Sequence, residues 1–257
     1  MLNCGVSLAP HNLLDNSDFR NPVNQRGKTS YSGGEYAIDR WKMQSGTNMT
    51  LMDGFIRITG DWDAQQILGN KLIGTYTYAI CAKVNVAGEY TQTIELYENG
   101  SSIKTTFCTV VGEWKIYTCT ATFTGTNGTA NPIVTINNRA GSISDASMDV
   151  QWAALYEGSY DVSTLPQYVP KGYGAELAEC QRYYREVYRV FGKDIGNVTR
   201  EAIILNPPMR IPPTSTVKSL WKGNDDTSVT VNSTANDNAD VTYTGWGNAT
   251  IAFSADL

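Results

Sequence analysis

The sequence predicts an all-β protein: a β-sandwich, then one connecting helix and a smaller C-terminal β region. Three observations carry this. Charged residues make up only 18% of the 257, against 41% hydrophobic, where about 25% charged is usual. Thr, Asn, Ser and Gly fill the difference; Thr and Tyr suit a pleated, half-buried surface, while Asn and Gly supply turns. From Gly54 to Leu155 the chain alternates apolar and polar residues with period two, and only one later stretch shows the 3–4 spacing of a helix.

The opening "NLLDNSDFRNPVNQRG", residues 12–27, reads as the first strand, with a short apolar step, a run of turn formers, one aromatic and a loop closed by Gly27. "GGEYAIDRW" (33–41) has glycines but no strand-to-helix context, so it is a turn and not a phosphate loop. In "TYTYAICAKVNV", Tyr76, Tyr78, Ile80, Ala82, Val84 and Val86 share one face, and Thr77, Ala79, Cys81, Lys83 and Asn85 the other. That is a long strand with one face inward. "TQTIELYENGSSIKTTF" is a hairpin turning at Asn99-Gly100, a dipeptide that tolerates the positive φ angles of a tight turn. "EWKIYTCTATF" (113–123) and "PIVTINN" (132–138) are further strands, and the near-continuously apolar "VQWAALYEG" (150–158) suits a central position.

The texture changes at "STLPQYVPKGYG", where two prolines and two glycines mark a border. In "AELAECQRYYREVYRVFG", Leu177, Cys180, Tyr184, Val187 and Phe191 recur at helical spacing, which predicts a helix over 175–191 stopped by Gly192. Its stripe either packs on its own domain or faces a copy of itself; fewer than three heptads cannot specify a coiled coil unaided. The remainder reads as short strands, with Pro207, Pro208, Pro212 and Pro213 confined to edges or loops.

Several function classes are excluded. Net charge is −5, and no segment gathers Lys and Arg, so phosphate neutralisation and with it nucleic-acid binding are not expected. No apolar stretch approaches the ~20 residues that cross a bilayer, so no membrane insertion is expected. "MLNCGVSLAPHN" lacks the basic and apolar regions of a secretion signal. The five cysteines (Cys4, Cys81, Cys108, Cys119, Cys180) form no CxxC pair. They read as buried or half-buried free thiols of a reducing cytoplasm, although a disulfide between strand cysteines stays open.

Catalysis finds little support. His11, the one histidine, lies in a polar lead-in, and no nucleophile-elbow, zinc or P-loop motif is present. A glycosidase needs only two carboxylates; Asp61, Asp63, Glu89, Glu95 and Glu113 are candidates, and one sequence does not show which two converge. Aromatics say more. "GDWDAQQ" puts Trp62 between Asp61 and Asp63 in turn-like text, an unusual setting for a core indole, whereas Trp41, Trp114 and Trp152 lie in strand-like text and are expected in the core. Tyr97, on the polar side of its strand, is a second surface aromatic. Rings of this kind stack on sugars while neighbouring Asp, Asn and Gln bind hydroxyls. Trp62, Asp61, Asp63 and Tyr97 are therefore the ligand-binding candidates, and no residue is assigned a catalytic role.

"NLLDNSDF", the later "DRW" and the closing "VQWAALYEG" resemble the first and last strands of jelly-roll carbohydrate-binding modules. The resemblance implies that Leu13, Leu14 and Phe19 are buried, that Asn16, Ser17 and Asp18 make the turn, and that the two ends meet. Such modules often hold a structural calcium with acidic residues after the Phe and in the closing strand. Here Arg20 follows Phe19, and Gln151-Trp152 stand at the strand positions, which argues against that site; Asp15, Asp18 and Asp149 would have to supply it.

A second resemblance spans nearly the whole chain. "YAIDRW", "VQWAALYEGSY", "LPQYVPKGYGAELAECQRYYREV" and "FSADL" look like tail or tail-fibre structural proteins of phages and prophages of gut Firmicutes. It implies an N-terminal lead-in (1–11), a jelly-roll carbohydrate-binding-like domain (12–160), a linker and helix (161–192) and a C-terminal β domain (193–257). It also implies a non-enzymatic, trimeric component of a virion's host-attachment apparatus, made in the bacterial cytoplasm. Its partners would be other tail proteins and a cell-surface glycan of the host, with no cofactor. The alternatives are a carbohydrate-binding module of a bacterial glycan-active protein and a glycan-cleaving fibre enzyme.

Overall fold

The computed structural model describes residues 10–86, 92–125, 131–139, 145–192 and 198–256. Cys4 and Glu89 lie outside them. The chain divides into two compact units, Met1–Tyr173 and Gly174–Leu257.

The first unit carries strands β1 (Ser30–Tyr31), β2 (Lys42–Met43), β3 (Thr47–Met52), β4 (Phe55–Gly60), β5 (Asp63–Ile67) and β6 (Ile73–Val84). They are followed by β7 (Gln92–Glu98), β8 (Ser101–Phe107), β9 (Lys115–Thr124), β10 (Ile133–Asn138) and β11 (Ser147–Glu157). They form an antiparallel jelly-roll sandwich: a six-stranded sheet in the order β1-β3-β4-β11-β6-β9 over a five-stranded sheet in the order β2-β5-β10-β7-β8. Period-two patterning explains why. Tyr76, Tyr78, Ile80, Ala82 and Val84 of β6 face inward, meeting Ile94 and Leu96 of β7 and Val134 and Ile136 of β10 in one buried cluster with Phe19, Trp41 and Met43. The β7–β8 turn is Asn99-Gly100, with φ of 52° and 77°, as its composition predicts.

The opening segment runs along β11. The Leu13 N–H donates to Leu155 O (3.0 Å) and the Ala153 N–H to Ser17 O (2.9 Å), so the two ends do meet. Leu14 and Phe19 are buried, but Leu13 is 39% exposed: in this extended run the side chain next to Leu14 points the opposite way. Asn16, expected as a turn residue, is also a buried hub, donating to Val23 O and Asp39 O (2.8 Å each) and accepting from the Val23 N–H (2.7 Å).

The outer face of β6 is not left to solvent. Residues 158–168 cross it, with Thr77 Oγ1 donating to Gly158 O (2.9 Å) and Trp152 of β11 stacked on Tyr168 at 4.7 Å between ring centroids. Trp152 is thus buried outside the main core, under a strap. Trp114 is not a core residue: it is half-buried, edge-on to Phe55 at 5.7 Å, with the Lys83 ammonium 5.1 Å from its ring. It precedes β9 and escapes the alternation that would turn it inward.

The second unit holds two three-stranded sheets. After helix α1 (Tyr173–Cys180) come β12 (Tyr184–Phe191), β13 (Val198–Ile204), β14 (Thr214–Lys222), β15 (Ser228–Thr234), β16 (Asn238–Thr244) and β17 (Gly247–Ser254), ordered β12-β17-β14 and β13-β16-β15. Phe191 stacks on Tyr243 (4.5 Å) beside Ile203, Val241, Ile251 and Phe253. The helix predicted over 175–191 is corrected here. Its second half is strand β12, paired with β17 from Tyr184↔Ser254 to Phe191↔Gly247. The misreading has a physical cause: residues four apart share a face in both a helix and a strand, so Val187 and Phe191 fit either period. Tyr, Val and Phe favour the strand once a partner ladder is offered. Among the described residues no helix is long and apolar enough to cross a membrane.

Candidate functional site

The outward faces of β5, β10 and β7 form one polar floor because these strands are neighbours in the sheet, although not in sequence. Their registers align Asp63↔Asn137↔Thr93, then Gln65↔Thr135↔Glu95, then Ile67↔Ile133↔Tyr97. A groove of about 310 Å³ lies over this floor, lined by Asp63, Gln65, Ile133, Thr135 and Tyr97 and walled by Trp62, Gln44, Gly100 and Arg139.

Trp62 stands on the turn between β4 and β5 and is 53% exposed. Its backbone is held from both sides: the Asn138 N–H donates to Trp62 O (3.2 Å), and the Asp61 N–H to Gly46 O (3.2 Å). Gly60, with φ of 95°, leads into this turn, and any side chain there would lie 2.0 Å from Gly46 O. Only glycine permits that approach.

The floor is an internally bonded polar chain with open ends. Asn137 Nδ2 donates to Thr93 Oγ1 (3.0 Å), and Thr93 Oγ1 donates to Glu95 Oε1 (3.1 Å). Arg139 Nη2 approaches Glu95 at 3.7 Å and donates to the Tyr97 hydroxyl at 3.4 Å. Thr135 Oγ1 and Asn137 Oδ1 are buried without a hydrogen-bond partner. Burial, then its hydrogen bond with Glu95, pushes the Tyr97 phenol up to about 12. Burial also raises the Asp63 carboxyl above the usual range, against the opposing pull of Arg139.

Of the residues singled out from sequence, Trp62, Asp63 and Tyr97 line this groove; Asp61 is exposed and does not. Glu95 lies beneath Arg139 rather than on the lining, and Glu113 is exposed beside Lys115 (3.1 Å). Gln44, Gln65, Thr135 and Arg139 went unnoticed in the sequence. Alternation in "DAQQI" and "PIVTINN" already marks Gln65 and Thr135 as outward; what it lacks is the strand order that brings them together.

The calcium candidates are each engaged by cations. Asp15 accepts from Arg40 Nε (3.1 Å) and lies 3.5 Å from Lys171 Nζ. Asp18 pairs with Arg20 (2.6 Å), and Asp149 accepts from Arg57 at 2.7 and 3.0 Å with Lys83 at 3.5 Å. Among the described residues no three acidic, His or Cys side chains gather where a metal could sit. A smaller hollow of about 270 Å³ lies on the opposite sheet near Trp152, Tyr168 and Arg20. There the two rings cover each other's faces and Arg20 is already paired.

No protein-family model matches the chain, and no curated protein matches it. Among solved structures it is similar to a CBM4 structure (15% identity, TM-score 0.38), over 56% of this chain and 99% of that one. It is likewise similar to a "putative sugar binding protein" from Bacteroides thetaiotaomicron (12%, TM-score 0.34), over 58% of this chain and all of that one. A Stig cyclase from Fischerella sp. TAU also matches (17%, TM-score 0.32), over 61% of this chain and 93% of that one. Likenesses of this size assign no activity.

Proposed function

We propose that the chain is a carbohydrate-binding protein that holds a glycan in the groove over β5, β10 and β7 and performs no chemistry on it. The observation that carries this is a half-exposed indole, Trp62, standing beside a floor of buried polar side chains of which Thr135 and Asn137 keep unbonded atoms. A sugar ring offers an apolar face to an aromatic and a rim of hydroxyls that donate and accept. Thr135 Oγ1, on the groove lining, is matched to such a hydroxyl, since an unmade buried hydrogen bond costs about 1–3 kcal/mol.

Hydrolysis fits less well. It needs two carboxyl groups reaching the same bond from opposite sides. Asp63 lines the groove, but Glu95 is committed to Thr93 and Arg139 below it. A glycan microarray probed with labelled wild type and Trp62→Ala tests the reading. Binding to a defined set of sugars that Trp62→Ala removes supports it; no binding, or binding indifferent to the substitution, overturns it.

The tail-fibre setting rests on the resemblance of the sequence blocks quoted above and on nothing in the fold. In it, several copies on one particle would raise weak single contacts to useful avidity. Any trimer must be built without a helical seam over 175–191, because that stretch is strand from Tyr184 onward. Light scattering of the purified chain decides: a trimer supports the setting, and a monomer over a wide concentration range favours a free-standing module.

A further inference from the structure

We propose that the groove selects its glycan by charge, taking uncharged sugars and turning away acidic ones, with Asp63 as the deciding residue. This rests on the carbohydrate reading and goes beyond it by naming the class of sugar admitted.

The ionisable groups of the groove do not balance. Among the described residues Arg139 is the one cation on the lining; its side chain is 44% exposed, with the guanidinium 3.7 Å from Glu95 and 3.4 Å from the Tyr97 hydroxyl. That carboxylate offsets its charge. Tyr97 is neutral at ordinary pH. Lys42, across the register from Gln65 on the edge strand β2, is not on the lining; its ammonium lies 5.6 Å from the Tyr36 ring centre. Asp63 remains. It lines the groove, is 9% exposed and makes no ion pair among the described residues. With Glu95 set against Arg139, Asp63 leaves the groove one net negative charge, eased by the pull of the same Arg139, in a partly desolvated floor where screening is weak.

The neutral groups point the same way. Thr135 Oγ1, on the lining, is unbonded, and the Asp63 carboxylate only accepts. A sugar hydroxyl answers Asp63 with a donor. A uronate carboxylate or a sulfate has no proton to give and would face Asp63 as a like charge; such a juxtaposition is how binding sites reject wrong partners.

The test is affinity electrophoresis at 150 mM salt on neutral polysaccharides that retard the wild type, each paired with its carboxymethyl derivative at low substitution. The expected result is at least tenfold weaker retardation by the carboxymethyl form. Asp63→Asn should narrow that gap to threefold or less. Glu95→Gln, which frees the Arg139 charge, should narrow it independently. Thermal melts check that each variant is folded, and either folded variant suffices. Equal retardation by both polymers, or a gap untouched in the variants, overturns the inference while leaving the carbohydrate reading standing. Retardation by no neutral polysaccharide overturns that reading and this inference with it.

Discussion

The indole of Trp62 rests against Gly46: a methyl group on Gly46 would stand 3.1 Å from Trp62 Cδ1. Gly46 also has φ of 88°, a conformation that residues with a Cβ rarely adopt. The position of the groove's aromatic wall is thus set by the missing side chain of another turn. Trp62→Ala should weaken glycan binding about tenfold, or ~1.4 kcal/mol, and leave the melting temperature nearly unchanged, because the ring is half exposed. Gly46→Ala should weaken binding as well, and also lower stability by about 1–3 kcal/mol through backbone strain. Calorimetric titrations and thermal melts of both variants check this pair of outcomes.

Asn12 ties the two ends of the sandwich. Its Oδ1 accepts from the Leu14 and Leu155 N–H groups (3.1 and 2.9 Å), and its Nδ2 donates to Ser17 Oγ and Ala153 O (2.9 and 3.2 Å). Asn12→Ala leaves these buried groups without partners, a loss of about 3 kcal/mol. For a chain of this size that lowers the melting temperature by roughly 6–10 °C. A shift below a degree or two would show that the N-terminal segment is not held this way.

Asp161 organises the strap over β6. Its carboxylate accepts from the Ser163 and Thr164 hydroxyls and N–H groups at 2.6–3.0 Å, and these bonds lower its pKa from 3.8 to about 2. The folded state therefore binds the proton less tightly than the unfolded one. The stability it contributes is present above about 3.8 and lost as the pH falls through about 2. Asp161→Ala should melt below wild type at pH 7, and the two should converge near pH 2. An equal gap at both pH values would contradict the assignment.

The thiols of Cys108 and Cys119 are buried in the sandwich core as free cysteines, and burial pushes the Cys119 thiol up to about 11 and the Cys108 thiol further. The thiolate is the reactive form. Alkylation of native protein at pH 8 followed by mass spectrometry should leave both unmodified, while half-buried Cys81 reacts slowly; modification of Cys119 ahead of Cys81 would refute this.

How much was legible beforehand follows from which interactions are local. Period-two alternation located β6 and β9, short apolar runs closed by turn residues or continuous through the core located β10 and β11, and Asn99-Gly100 located a turn, because those signals depend on neighbours along the chain. Trp62 was legible for the same reason: aspartates on both sides mark an exposed turn. The helix over 175–191 failed at Val187 and Phe191, where both periods agree and the deciding partner, β17, lies some 60 residues away. Trp114 failed because strand-like composition does not fix where a strand begins. The groove floor needs Gln65, Thr135 and Tyr97 side by side, which follows from the order β5-β10-β7 and from no single stretch of sequence.

The most direct test of the binding face is a titration of ¹⁵N-labelled protein with the neutral hexasaccharide that binds best, followed through side-chain resonances. The expected result is that the Trp62 indole N–H and the Gln44 and Gln65 amides move together and saturate, while the indoles of Trp41 and Trp152 stay in place. Movement of Trp152 with Trp62 unmoved would put the ligand on the opposite sheet and contradict the account.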